Sequence, residues 1–112
     1  MTTITDEYMQ EMLPKAKPYV LVLLKPGPKS DMTDVQNIIW EHGRRNFALR
    51  ADGLLSIVCP VTKETSVSGC CIFNTAEDEV KTIMDGDPAV QAGIFVYEIH
   101  PCFGFPGDNL PA

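Results

Sequence analysis

The chain has no run of about eighteen apolar residues, which excludes a membrane-spanning helix. It has four cysteines but no CxxC pair, so the ligand spacing of a zinc site is missing. No glycine-rich loop is present to cradle a phosphate; in Pro26-Gly27-Pro28 the two prolines have no amide to donate. No metal and no organic cofactor are therefore expected. Basic residues are few, 9 against 15 acids, giving a net charge of −6, and Arg44-Arg45 is the only basic pair. That balance excludes nucleic acid as a partner, since binding it takes clustered cations that displace counterions. Arg44 and Arg45 are read as solvated, on the flank of the long helix opposite its apolar stripe. The N-terminus, MTTITDEYMQEM, lacks the basic start and apolar core of a secretory signal. A cytoplasmic protein with reduced, buried thiols is expected, with Cys70 and Cys71 pointing to opposite faces of a strand.

What is present fits one globular domain: 112 residues, 45% hydrophobic and 21% charged. Residues 1–18, polar and holding Pro14 and Pro18, read as an N-terminal arm, and residues 103–112 as a tail. Between them, residues 19–102 carry the domain. Tyr19 to Lys25 (YVLVLLK) reads as a strand buried on both faces. After the loop PGPKSD, Ser30 or Asp31 caps a long helix, with Thr33 and Gln36 as an alternative capping box, and Gly53 stops it. Leu54–Val61 and Ser66–Asn74 form a hairpin, with Pro60 marking an irregular strand end. Asn74 or Thr75 caps a second helix with Ala76, Val80, Ile83 and Met84 inward. A helical turn at Pro88–Gln91 precedes the last strand, Ile94–His100.

The order β-α-β-β-α-β is the ferredoxin-like split βαβ arrangement, an α+β fold with a four-stranded antiparallel sheet and both helices on one face. The other face carries large apolar side chains, and a chain this short has nothing left to cover them. Leaving them wet would expose more than the few hundred Å² usual for a monomer. Back-to-back pairing of two sheets is the expected remedy, making a homodimer with a cleft between each sheet and its helices.

One residue in the long helix breaks the apolar pattern. At about 100° per residue, Val35, Ile38, Ile39, His42, Asn46 and Leu49 form one stripe. The stripe should bury, and a buried imidazole costs free energy unless it is hydrogen-bonded. Asp87, in DGDPAVQAG, is the candidate partner. Two plainer readings stand beside this one: His42 bonded to a backbone carbonyl, and Asp87 as an N-cap ahead of Pro88. A carboxylate has two oxygens, so Asp87 can fill both roles. Asn46 is either an aid to substrate orientation or a polar residue at the edge of the stripe. Tyr19 and Tyr97 are candidates to offer a phenol to a pocket, or packing residues with a wet hydroxyl. Glu98 and His100 share a face with Val96, on the pocket or the dimer side. Asp85 and Asp87, with no further ligands, make a weak cation site.

HGRRNFALRADG, from His42 to Gly53, and DGDPAVQAGIFVYEIHPC together resemble the YCII-related (YciI-like) family. They match in the spacing of the helix histidine to the helix-ending glycine, and in an Asp-Pro followed by an Ala-Gly turn and the last strand. The resemblance covers roughly residues 19 to 102. The arm and the tail GFPGDNLPA lie outside it, and the residues after His42 are more basic than is common there. The resemblance implies a dimeric α/β barrel with His42 and Asp87 as a catalytic pair. It also implies cofactor-free lyase or isomerase chemistry, a proton transfer on a small, cyclic or aromatic-derived substrate. A neutral imidazole suits that chemistry, since it takes and returns a proton near neutral pH, and a carboxylate on its far nitrogen fixes the tautomer. The alternative is a non-catalytic module that binds a small ligand or a partner in the same cleft.

Overall fold

A computed structural model describes all 112 residues. Within the N-terminal segment, Asp6–Met12 forms a short helix, α1, capped by Thr5, whose hydroxyl accepts from the Tyr8 amide. A 3-10 turn at Leu13–Lys15 leads into β1, Lys17–Pro26. The long helix α2 spans Val35–Ala51, and the hairpin strands are β2, Leu55–Pro60, and β3, Gly69–Phe73. Then come α3, Glu77–Asp85, the single turn α4, Pro88–Gln91, and β4, Phe95–Gly104. The sheet order is β2-β3-β1-β4 and every pairing is antiparallel. This is the ferredoxin-like α+β fold.

The core lies on one face of the sheet. Val20, Val22 and Leu24 of β1, Cys71 and Phe73 of β3, and Leu55 bury against Val80, Ile83 and Met84 of α3. Full burial of such side chains stabilises by roughly 1.5–3 kcal/mol each. Within a single chain β1 does not bury both faces, contrary to the continuous apolar run. Its alternate residues Tyr19, Leu21 and Leu23 are only half-buried, because no helix covers the second face. On β4, Tyr97 and Ile99 pair with Leu24 and Val22 on the helix side, so Val96, Glu98 and His100 fall on the open side. There Glu98 accepts from Lys25 at 2.8 Å and meets His100 at 3.2 Å.

The element ends depart from the sequence reading in three places. α2 begins at Val35 after Asp34, whose φ of 71° is left-handed, and has no side-chain cap. Ser30 and Asp31 are unavailable as caps because their loop is tied down elsewhere. Gly27 N–H donates to Ile94 O at 2.7 Å and Lys29 N–H to Gly93 O at 2.9 Å, stitching the loop before α2 to the turn before β4. The N-cap of α3 is Ala76, itself exposed, while Thr75 spends its hydroxyl on Glu79 at 2.6 Å. Finally, β4 continues through Pro101 to Gly104, pairing as far as Lys17. It is an edge strand, where a residue without an amide is tolerated.

Candidate active site

α2 and α4 pack together across the sheet, and this brings His42 and Asp87 face to face. His42 is the only buried residue of α2, and Asp87 is 1% exposed. Nδ1 of His42 lies 2.7 Å from Oδ1 of Asp87. The second oxygen, Oδ2, accepts from the amides of Ala89 at 3.0 Å and Val90 at 3.2 Å. Asp87 is thus an N-cap and a histidine partner at once, one oxygen for each.

These contacts fix the imidazole tautomer. An ionised carboxylate only accepts, so Nδ1 carries the proton and Nε2 is left with its lone pair. Asn46, one helical turn on, sets Nδ2 at 3.3 Å from Nε2, where its N–H donates. Phe95 flanks the ring with centroids 5.2 Å apart. A neutral imidazole held this way has its basic nitrogen toward the space between α2 and the sheet.

That space is a cavity of about 310 Å³, near the lower end of the roughly 300–1,000 Å³ typical of small-molecule sites. Its walls are mostly apolar: Leu24, Ile39, Phe47, Val58 and Phe95, with His42, Asn46 and Arg50 along the α2 side. Cys71 also lines it; burial, then its neighbours Cys70, Cys59 and Asp87, push this thiol up to about 12, so it is a neutral wall residue.

Three residues lie elsewhere than expected. Arg45, expected on the solvated flank opposite the stripe, instead brings its Nη1 to 4.0 Å from Asp87 Oδ1, with its side chain only 31% exposed. The signal was in the spacing: three residues past His42 is the same side of a helix. Arg44, two residues past His42, does stay in solvent, pairing with Glu41 at 3.1 Å. The tyrosines lie elsewhere. Tyr19 sits on the open face of the sheet, its ring against Gly104 and under the Lys17 ammonium, 5.1 Å from the ring centre. Tyr97 is on the helix side but turns to the end of α3, donating its hydroxyl to Asp85 at 2.5 Å. Neither lines the cavity.

No family model matches the chain, and no curated protein matches it in sequence. Among solved structures, it is similar to the 5-chloro-2-hydroxyhydroquinone dehydrochlorinase TftG of Burkholderia phenoliruptrix AC1100, determined in complex with 2,5-dihydroxybenzoquinone. The two are 22% identical with a TM-score of 0.54, over 73% of this chain and 90% of that one. At this identity the likeness establishes the shared fold.

Proposed function

We propose that this chain is a cofactor-free lyase or isomerase of the YCII-related kind, in which His42 moves a proton on a small ring compound bound between α2 and the sheet. The observation that carries the reading is the buried His42–Asp87 hydrogen bond of 2.7 Å beside an apolar cavity. A solved structure of the same fold supports it, being a dehydrochlorinase holding a quinone.

In this reading, the ligand displaces the Asn46 amide from Nε2 of His42, and Nε2 takes a proton from an acidic C–H or O–H of the ring. The electron pair left behind moves into the ring, and either expels a leaving group with its own electron pair or accepts the proton back at another position. Asp87 stabilises the imidazolium formed in between and keeps the ring in its tautomer. Asn46 orients the ligand. Arg45, with Nη1 4.0 Å from Oδ1 of Asp87, flanks the carboxylate that holds His42. The open face of the sheet, with Leu21, Leu23 and Ile72 half-buried, is covered by a second copy, making a homodimer. The four unpaired cysteines fit a reducing, cytoplasmic setting.

Chloride release from 5-chloro-2-hydroxyhydroquinone tests the reading. The wild-type protein is expected to exceed the buffer rate, and His42→Ala to lose about 10²- to 10⁴-fold, the worth of general acid-base catalysis. A wild-type rate equal to buffer would sink the proposed reaction on this ring class.

A further inference from the structure

We propose that Arg50 selects the charge of the ligand, and that the cavity takes a planar ring bearing an anionic oxygen, such as an enolate, phenolate or ring carboxylate. This deepens the reading of His42 as the acid-base and rests on the same cavity. Three observations support it.

The first is the composition of the walls. The chain carries 15 acids and a net charge of −6, yet no aspartate or glutamate lines the cavity, and Arg50 is its one cationic side chain. An apolar cleft lined by one sign of charge concentrates ligands of the other.

The second is that the guanidinium is free to bind. Arg44 is spent on Glu41 and Arg45 faces Asp87, but Arg50 has no carboxylate within 4.0 Å. Its contact is the ring of Phe47, with Cζ 5.6 Å from the ring centre. Stacking of this kind orients a guanidinium while leaving its N–H edge open for bidentate binding of an oxyanion.

The third is spacing. His42, Asn46 and Arg50 recur every four residues, so they form one row on α2, with about 12 Å of helix rise between the ends at 1.5 Å per residue. Helical side chains lean toward the N-terminus, so Arg50 leans back toward Asn46 and His42. A ring bound along this row would set its anionic oxygen at Arg50 and its reacting edge at Nε2 of His42.

The test is calorimetric titration at pH 7 with two probes: 2,5-dihydroxybenzoquinone, which is anionic there, and its neutral dimethyl ether. Wild type is expected to prefer the anion. Arg50→Gln should weaken anion binding about 10- to 100-fold, the worth of a charge-assisted contact, with the ether little changed. Arg50→Lys should keep part of the preference, and Arg50→Glu should abolish anion binding. The same titrations with His42→Ala separate the two proposals, because charge selection by Arg50 persists there even if His42 moves no proton. The proposal is overturned if Arg50→Gln binds the anion within about twofold of wild type, if both probes weaken equally, or if wild type binds neither probe.

Discussion

The carboxylate of Asp87 serves His42 and its own helix together: Oδ1 meets Nδ1 of His42 at 2.7 Å while Oδ2 caps the first amides of α4. The division suggests a substitution that separates cap from dyad. In Asp87→Asn the amide oxygen still caps α4, since asparagine is as good an N-cap as aspartate. The NH₂ then faces Nδ1 and donates to it, which moves the ring proton to Nε2 and removes the base. Activity should fall about 10²- to 10⁴-fold, with little change in the urea midpoint. A midpoint that collapses along with activity would show that the carboxylate is mainly structural.

Asp85 and Tyr97 join the end of α3 to β4. Hydrogen bonds from Lys81 and then Tyr97 hold the Asp85 carboxyl below its ordinary range, whereas burial and then the Asp85 contact push the Tyr97 phenol up to about 12. The lowered Asp85 contributes stability above the usual carboxylate value of about 4, lost as pH falls through its native value. The raised Tyr97 contributes below about 10, lost as pH rises through its native value. Ultraviolet titration of Asp85→Asn should find Tyr97 ionising below about 12 but still above an ordinary tyrosine, because burial remains.

Gly27 lies where two backbone segments touch. A Cβ there would stand 2.3 Å from Gly93 O and 2.9 Å from its carbonyl carbon, and neither is a flexible side-chain end. Gly27→Ala should therefore destabilise by about 1–3 kcal/mol in urea unfolding. It should also lower activity, because this contact ties the loop before α2, which carries His42, to the segment after Asp87.

Cys71 should be the last thiol to react. With burial pushing it up to about 12, its thiolate fraction at pH 8 is on the order of one in ten thousand. Iodoacetamide labelling followed by mass mapping should modify Cys102 well before Cys71. Early labelling of Cys71 would mean that the wall behind His42 opens.

The pairing of His42 with Asp87 was legible because each residue broke a local rule in a readable way. A histidine in an apolar helix stripe needs a partner, and Asp-Pro ahead of a short turn marks a buried cap. The strand order followed from the alternation of apolar runs with two helical patterns. Arg45 was missed, although its i+3 spacing from His42 was visible, because a basic pair reads most simply as solvated. The start of α2 was not legible. Local capping preference favoured Ser30 or Asp31, and the long-range hydrogen bonds of Gly27 and Lys29 to Gly93 and Ile94 overrode it. Tyr97 pointed away from the cavity for the same kind of reason, since Asp85 at the end of α3 captures its hydroxyl.

The central claim is that His42 moves a proton and does not merely hold a ligand. The most direct measurement is turnover of 5-chloro-2-hydroxyhydroquinone together with the dissociation constant for 2,5-dihydroxybenzoquinone, in wild type and in His42→Ala. The account predicts turnover reduced about 10²- to 10⁴-fold with binding within about threefold of wild type. Turnover undiminished in His42→Ala, or binding lost while the residual bound fraction reacts at the wild-type rate, would contradict it.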